Sequence, residues 1–151
     1  MPERIRPPRW LKAANKVFML LLRLGVGVSR VESPVVLTVP GRKTGRPRST
    51  PVTPMTVGGE RYVVNGYPGA DWVGNVRAAG TVTLTRGRRT ERVRMVELSP
   101  EAARPVLRAF PAAVPTGVEL MKRVGVLTDG TPDELERLAG RLVVFRIDPI
   151  T

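Results

Sequence analysis

The sequence predicts a mainly β domain with flanking helices, an α+β arrangement around a small, partly open barrel. Three observations predict it. Short runs rich in β-branched residues recur through the middle of the chain, from Val35-Val36-Leu37-Thr38-Val39 to Thr81-Val82-Thr83-Leu84-Thr85. Glycine-bearing turn signals, Gly58-Gly59 and Arg86-Gly87, stand between such runs at hairpin spacing. Capped helical stretches follow residue 98, and an amphipathic one opens the chain. A sheet of about five or six antiparallel strands leaves open edges unless it closes on itself, which favours a barrel. At 151 residues the chain has the size of one domain. It divides into an N-terminal amphipathic helix within residues 1–30 and a barrel with helices over 31–151.

Taken in order, the first element is a helix from about Trp10 to Leu24. Leu11, Ala14, Phe18, Leu21 and Leu22 fall near one stripe, and Gly25 and Gly27 stop it. The charged leader and the run Val17–Leu22 superficially resemble a signal peptide, but Arg23 interrupts the run and no A-x-A cleavage site follows. The stretch is also well short of the ~20 residues that span a bilayer. Such a helix either packs on its own domain or lies on an anionic membrane surface.

Residues 35–39 read as a buried strand. Ser49 to Val57 reads as a second strand, and Pro51 and Pro54 mark it as an edge strand or as backbone leaving the ladder. Arg61 to Asn65 returns after Gly58-Gly59, with Tyr62 and Val64 facing opposite to Val63. Asn65 to Ala70 is a loop. Asp71 is placed to cap a short helix from Trp72 to about Ala78. Thr81 to Thr85 and Arg88 to Leu98 form a hairpin, with Arg92 and Arg94 opposite Val93 and Met95. Ser99 caps a helix whose first residue is Pro100 and which Pro105 should kink or restart. A further helix runs from about Thr116 to Val124. Thr131-Pro132-Asp133-Glu134 is a capping box for a short helix ending near Gly140, and Arg141 to Ile147 forms the last strand.

Composition removes much ordinary enzyme chemistry. The chain has neither histidine nor cysteine. That excludes Ser-His and Cys-His nucleophile pairs, His/Cys zinc sites and haem ligation by those residues. Acids are sparse, no calcium-loop spacing occurs, and no metal is expected. Any redox chemistry therefore falls to a bound organic cofactor that the protein holds and orients. Absence of cysteine fits a cytoplasmic location, with residues 1–30 offering peripheral contact at the inner face of a membrane. Arginine outnumbers lysine 21 to 4, an actinobacterial-like bias of GC-rich coding, so the excess of arginine carries little weight by itself.

The distribution of charge carries more. The formal net charge is +12, and it is uneven: residues 1–94 hold 18 Lys/Arg against 5 Asp/Glu, residues 95–151 hold 7 against 8. The first part of the chain therefore attracts anions: nucleic acid, anionic lipid, or a phosphorylated or polycarboxylated small molecule.

One cationic segment, Gly41-Arg42-Lys43-Thr44-Gly45-Arg46-Pro47-Arg48, lies between glycines directly after a strand. Glycines let the backbone turn its N–H groups toward one oxyanion, and the arginines and lysine add charge-assisted donors. A turn of this kind holds a phosphate or simply faces water. A second motif, Trp72-Val73-Gly74-Asn75, puts a tryptophan and an amide on one helix face. Together they cover the edge of a flat ligand, or Trp72 belongs to the core and Asn75 satisfies local backbone.

The basic turn, the Asn65–Gly69 loop and the Trp-x-x-Asn helix followed by a β-hairpin, in that order, resemble the deazaflavin-dependent nitroreductase family. That family belongs to the split β-barrel flavin and deazaflavin oxidoreductases. The resemblance covers about residues 10–98 and fades over the last fifty. It implies a split β-barrel, FMN-binding-barrel-like fold and an oxidoreductase that binds coenzyme F-420. This 8-hydroxy-5-deazaflavin carries a phosphate and several glutamates on its tail. By position, Arg42, Lys43 and Thr44 would hold the phosphate, with Arg48 beside them. Ser49, Thr50, Pro51, Val52 and Thr53 would lay backbone along the ring. Asn65, Gly66 and Tyr67 would close over its other edge, and Trp72 and Asn75 would flank the tail or ribityl chain.

The implied reaction is hydride transfer to an apolar, electron-poor small molecule such as a quinone or nitro compound. No side chain is assigned as catalytic; Tyr67 is the least unsuitable proton donor, and solvent is the alternative. Family members that reduce nitroimidazoles or quinones carry tyrosines in the helical region before the last strand, and residues 111–126 have none. The same resemblance implies pairing into a homodimer. The alternative readings are an FMN-binding split barrel and a non-enzymatic basic protein for nucleic acid or anionic membrane. An aromatic content of 5% gives little base-stacking surface and argues against nucleic acid.

Overall fold

Seven strands form one antiparallel sheet in a computed structural model that describes residues 34–150. The expected helix over 10–24, with its proposed docking on barrel or membrane, lies outside the described residues. The strands are β1 (Val35–Pro40), β2 (Pro47–Val52), β3 (Met55–Val57), β4 (Glu60–Val64), β5 (Thr81–Arg86), β6 (Arg89–Glu97) and β7 (Val144–Pro149). Helix α1 (Asp71–Ala79) lies between β4 and β5. Helices α2 (Pro100–Ala113), α3 (Pro115–Arg123) and α4 (Pro132–Arg137) lie between β6 and β7.

The sheet order is β2-β1-β5-β6-β7-β4-β3. Its two end strands are consecutive in the chain, with only Thr53 and Pro54 between them. Six strand spacings of ~4.8 Å would hold the ends of a flat sheet ~29 Å apart. The three Cα steps from Val52 to Met55 reach at most ~11 Å. The sheet therefore curls until its ends meet, giving the half-barrel with flanking helices. The single strand expected over Ser49–Val57 is accordingly two strands, and Pro54 stands where the backbone leaves one end of the sheet for the other.

Curling gives the molecule two apolar interiors. Leu37, Val39, Val52, Val63, Val82, Leu84, Val93, Met95, Phe145 and Ile147 fill the inside of the curl, joined by Val73 and Val76 of α1. Met55, Leu142 and Val144 meet Ala103, Val106, Leu107 and Phe110 of α2, Val118 and Met121 of α3 and Leu135 of α4 outside it. Strand β7 is buried on both faces, Val144 in one interior and Phe145 in the other, which follows from its place between β6 and β4.

Local signals account for most boundaries. Gly58 and Gly59 turn with positive φ between β3 and β4, and Ser99 Oγ accepts from Ala102 N–H at 3.2 Å. Thr131 Oγ1 accepts from Glu134 N–H at 3.2 Å, as a capping box requires. The Glu134 carboxylate instead gathers the N–H groups of Thr128, Asp129 and Gly130, tying down the preceding turn.

Several expectations are corrected. There are seven strands rather than five or six. Asp71 is the first residue of α1, not its cap; Ala70 is the cap residue and makes no side-chain capping bond. Helix α2 runs unbroken through Pro105 and Pro111. Glu101, whose carbonyl loses its partner at Pro105, is exposed and so open to water, while the apolar stripe on the other face holds the helix in place. The last strand begins at Val144 rather than Arg141, because Arg141 and Leu142 close the turn after α4 by N–H bonds to Leu138 O.

Candidate functional site

Strand directions follow from the antiparallel registers. Strands β1, β4 and β6 run toward one end of the half-barrel, so the β1–β2 turn and the loop after β4 both leave the sheet at that end. The opposite end carries the β3–β4 and β5–β6 turns. There Arg61 of β4 and Glu91 of β6 form a bidentate ion pair across the end of β7, at 2.8 and 3.1 Å.

The basic turn is well ordered by its own backbone. Gly41 N–H donates to Arg46 O and Gly45 N–H to Gly41 O, both at 2.8 Å. Gly45 has φ +73°, a left-handed conformation that glycine adopts without strain. Thr44 Oγ1 accepts from Arg46 N–H at 3.2 Å, so its hydroxyl hydrogen remains available.

The four cations are not equivalent. Arg42 is engaged with α1: its backbone N–H and its Nη1 both donate to Asn75 Oδ1, at 3.0 and 2.8 Å. Nη1 also donates to Asp71 O at 3.0 Å, and Nη2 lies 3.6 Å from Asp71 Oδ1. The side chains of Lys43, Arg46 and Arg48 are exposed and have no partner among the described residues.

The five candidates from Ser49 to Thr53 do not share a face. Thr50 and Val52 pair with Leu37 and Val35, whose side chains point into the curl; Ser49 and Pro51 pair with Thr38 and Val36 on the outer face. Val52 is buried in the core, and Ser49 Oγ lies 2.9 Å from Thr38 Oγ1. A ligand touching the whole segment must therefore lie along the free edge of β2. The bond from Gly41 N–H to Arg46 O sets the phase of the ladder: Arg48, Thr50 and Val52 turn their N–H groups toward β1, and residues 47, 49 and 51 turn theirs outward. Residues 47 and 51 are prolines. Ser49 N–H is then the one outward backbone donor of β2, set between the carbonyl of Pro47 and its own, with that of Pro51 beyond.

The loop after β4 is held by Asn65, which is buried. Its Nδ2 donates to Tyr67 O at 2.6 Å and its Oδ1 accepts from Tyr67 N–H at 3.1 Å. Gly66 faces Met121 of α3 so closely that a Cβ would come within 3.3 Å of Met121 Cγ. The Tyr67 hydroxyl is buried with no hydrogen-bond partner among the described residues, and burial pushes its pKa up. Trp72 is half-buried, its ring 5.8 Å from that of Phe145 and tilted by 48°. Trp72 thus fixes α1 on the core, while Asn75, also buried, faces the basic turn.

The structure brings Arg42, Asn75, Lys43 and Thr44 together at the junction of turn and helix. The Asn65–Tyr67 loop stands at the same end. Sequence reasoning missed Arg46, Asp71, Gly74 and Met121. Arg46 lies inside the quoted motif and was visible there; the other three act through contacts between distant segments.

Comparison with known proteins follows the same lines. A family described as F420H(2)-dependent quinone reductase matches residues 22–123. Among solved structures, a domain-swapped dimer superposes with a TM-score of 0.54 at 23% identity, over 92% of this chain and 97% of that one. An F420-H2 dependent reductase gives 0.51 at 21% identity, over 76% and 93%. A conserved hypothetical protein from Mycobacterium tuberculosis gives 0.52 at 18%, over 98% and 84%. These likenesses concern the fold. A search of curated proteins gives no match. The family match spans well over half of the chain and coincides with the turn, the loop and the Trp-x-x-Asn helix. The chain belongs to the F420H(2)-dependent quinone reductase family, oxidoreductases whose reductant is the reduced deazaflavin coenzyme F420.

Proposed function

We propose that this protein transfers a hydride to an apolar, electron-poor acceptor, a quinone foremost and a nitro compound second. The observation that carries the reading is the set of cations without partners among the described residues, Lys43, Arg46 and Arg48, on the turn that leads into the outer edge of β2. Held by these residues, reduced F420 would supply the hydride. The donor set fits its phosphate and glutamates, because three cations without an ion-pair partner among the described residues and the Thr44 hydroxyl lie on one short turn.

The rest of the chain positions and shields. The outer edge of β2 presents the Ser49 N–H between the carbonyls of Pro47 and Ser49, a single fixed donor for charge that builds on the ring or acceptor. Asn65 holds Gly66 and Tyr67 as a wall at the same end, with Met121 behind it. Reduction of a quinone by a hydride needs one proton to complete the hydroquinone. The Tyr67 hydroxyl stays protonated at neutral pH, since burial raises its pKa, and it has a hydrogen bond to give. Holding donor and acceptor atoms near ~3–3.5 Å lowers the barrier by up to about 7–11 kcal/mol in a well-oriented site.

Titration of the protein with F420, followed by the coenzyme's fluorescence, tests the reading, with FMN as competitor and menadione as acceptor. Binding near micromolar levels, lost in the Lys43→Ala/Arg46→Ala/Arg48→Ala triple variant, is the expected result. Displacement of F420 by an equal concentration of FMN would favour the FMN reading, since one phosphate suits the same turn.

A further inference from the structure

We propose that Arg42 is a positioning residue: it clamps the basic turn to α1, and the anionic tail is held by Lys43, Arg46 and Arg48. This rests on the turn being the seat of that tail. Both hydrogens of Arg42 Nη1 are committed, one to Asp71 O and one to Asn75 Oδ1. Asn75 Oδ1 in turn spends both lone pairs on Arg42, taking the guanidinium and the backbone N–H. The carboxylate of Asp71 at 3.6 Å offsets part of the charge. The other three cations, exposed, have no side-chain partner among the described residues.

Gly74 supplies a second, independent observation. A Cβ at this position would fall 2.9 Å from Arg42 Cζ and 2.9 Å from Nη1. Glycine inside a helix is less favourable than alanine. Its presence in α1 is explained by the close approach of the guanidinium. Residues 42, 71, 74 and 75 thus form one device: a helix face with a bare backbone at its centre, an acceptor on either side, and a flat cation lying across it. The device fixes where the turn sits relative to Trp72, and hence the angle at which Lys43, Arg46 and Arg48 meet an anion.

The test compares cofactor-free amide hydrogen exchange at Gly41, Arg42 and Gly45 with F420 affinity in the same variants. Arg42→Lys keeps the charge but cannot bridge Asp71 O and Asn75 Oδ1 together. Gly74→Ala keeps every charge, favours the helix and displaces only a flexible side-chain tip. Each is expected to speed exchange at the turn and to weaken F420 binding about tenfold or more. Asn75→Asp, whose carboxylate retains both acceptor roles, keeps slow exchange, and Asn75→Leu loses it. Lys43→Ala/Arg46→Ala weakens binding with exchange unchanged. The assignment is overturned if Arg42→Lys binds F420 as wild type does, or if it weakens binding while the turn exchanges at the wild-type rate. A wild-type protein that fails to bind F420, but shows this exchange pattern, would remove the tail from the turn and still support the clamp.

Discussion

The two buried asparagines of the site hold backbone at very different range. Asn65 closes a ring with Tyr67 two residues away, whereas Asn75 holds a turn 33 residues away. The first arrangement is an Asx-type turn that sequence can suggest; the second depends on tertiary structure. Between them stands Tyr67, whose buried hydroxyl lacks a partner. An unsatisfied buried hydroxyl contributes nothing to stability, so Tyr67→Phe should leave the fold unchanged or more stable by up to ~1 kcal/mol. Because burial raises the folded phenol's pKa, the fold opposes its ionisation: stability is unaffected by this group below the ordinary value of 10.0 and falls as pH rises from there toward the folded value. Melting temperatures above pH 10 should therefore fall more steeply for wild type than for Tyr67→Phe. A proton-delivery role would appear in the same variant as a drop in kcat, with affinity for F420 intact.

Helix α1 shows how an element can be anchored at separate points. Val73 and Val76 enter the barrel interior, Trp72 leans on Phe145, Asn75 takes Arg42, and Arg77 reaches β6. Arg77 pairs with Glu97 through two bonds of 2.7 and 2.8 Å. The hydrogen bond from Arg77 holds the Glu97 carboxyl below its ordinary value of 4.5, against an opposing effect of burial. The sign follows: this stability is present above 4.5 and is lost as pH falls through the lowered value. Glu97→Gln should remove the part of the stability loss that wild type shows as pH falls below 4.5, read by thermal unfolding, and lower stability at pH 7 by the same small amount, since the pair is solvent-exposed.

At this scale the sequence was readable wherever a signal is local. The Gly58-Gly59 turn, the caps at Ser99 and Thr131 and the alternation of Arg92, Val93, Arg94 and Met95 all lie where the pattern puts them. Residues 49–57 were not readable, because alternation reports which face is buried and not which strand is the neighbour. Pro105 misled for a related reason: the local cost of a proline is small beside four buried residues on the opposite face of α2. In the site, four cations are visible in the motif, but their division into one clamped and three unpaired among the described residues is a tertiary fact.

The whole molecule separates the effects of charge on folding and on binding. A net charge of +12 repels itself, and screening relieves that repulsion. Screening also weakens attraction between the exposed turn and an anionic tail, since the Debye length falls from ~10 Å at 0.1 M to ~3 Å at 1 M. Added salt should thus raise the melting temperature while lowering affinity for F420. A deazaflavin lacking the phosphate and glutamates should show no such loss of affinity. Parallel melting and fluorescence titrations across 0.05–0.5 M sodium chloride check both signs, and equal salt dependence for the two ligands would place the tail elsewhere.

The position of β7 has a consequence for how the protein is made. Strands β2, β1, β5 and β6 can pair as they are synthesised, and β3 and β4 form a separate hairpin. The two groups join only through β7, which pairs with β6 on one side and β4 on the other, Val64 meeting Val144. A ribosome therefore delivers two unfinished sheets well before it delivers the strand that unites them. During that interval the inner edges of β6 and β4 are open and the Phe145 and Ile147 positions are empty. Any delay over the last stretch of translation prolongs the chain's most aggregation-prone state, and help from a chaperone would matter most there.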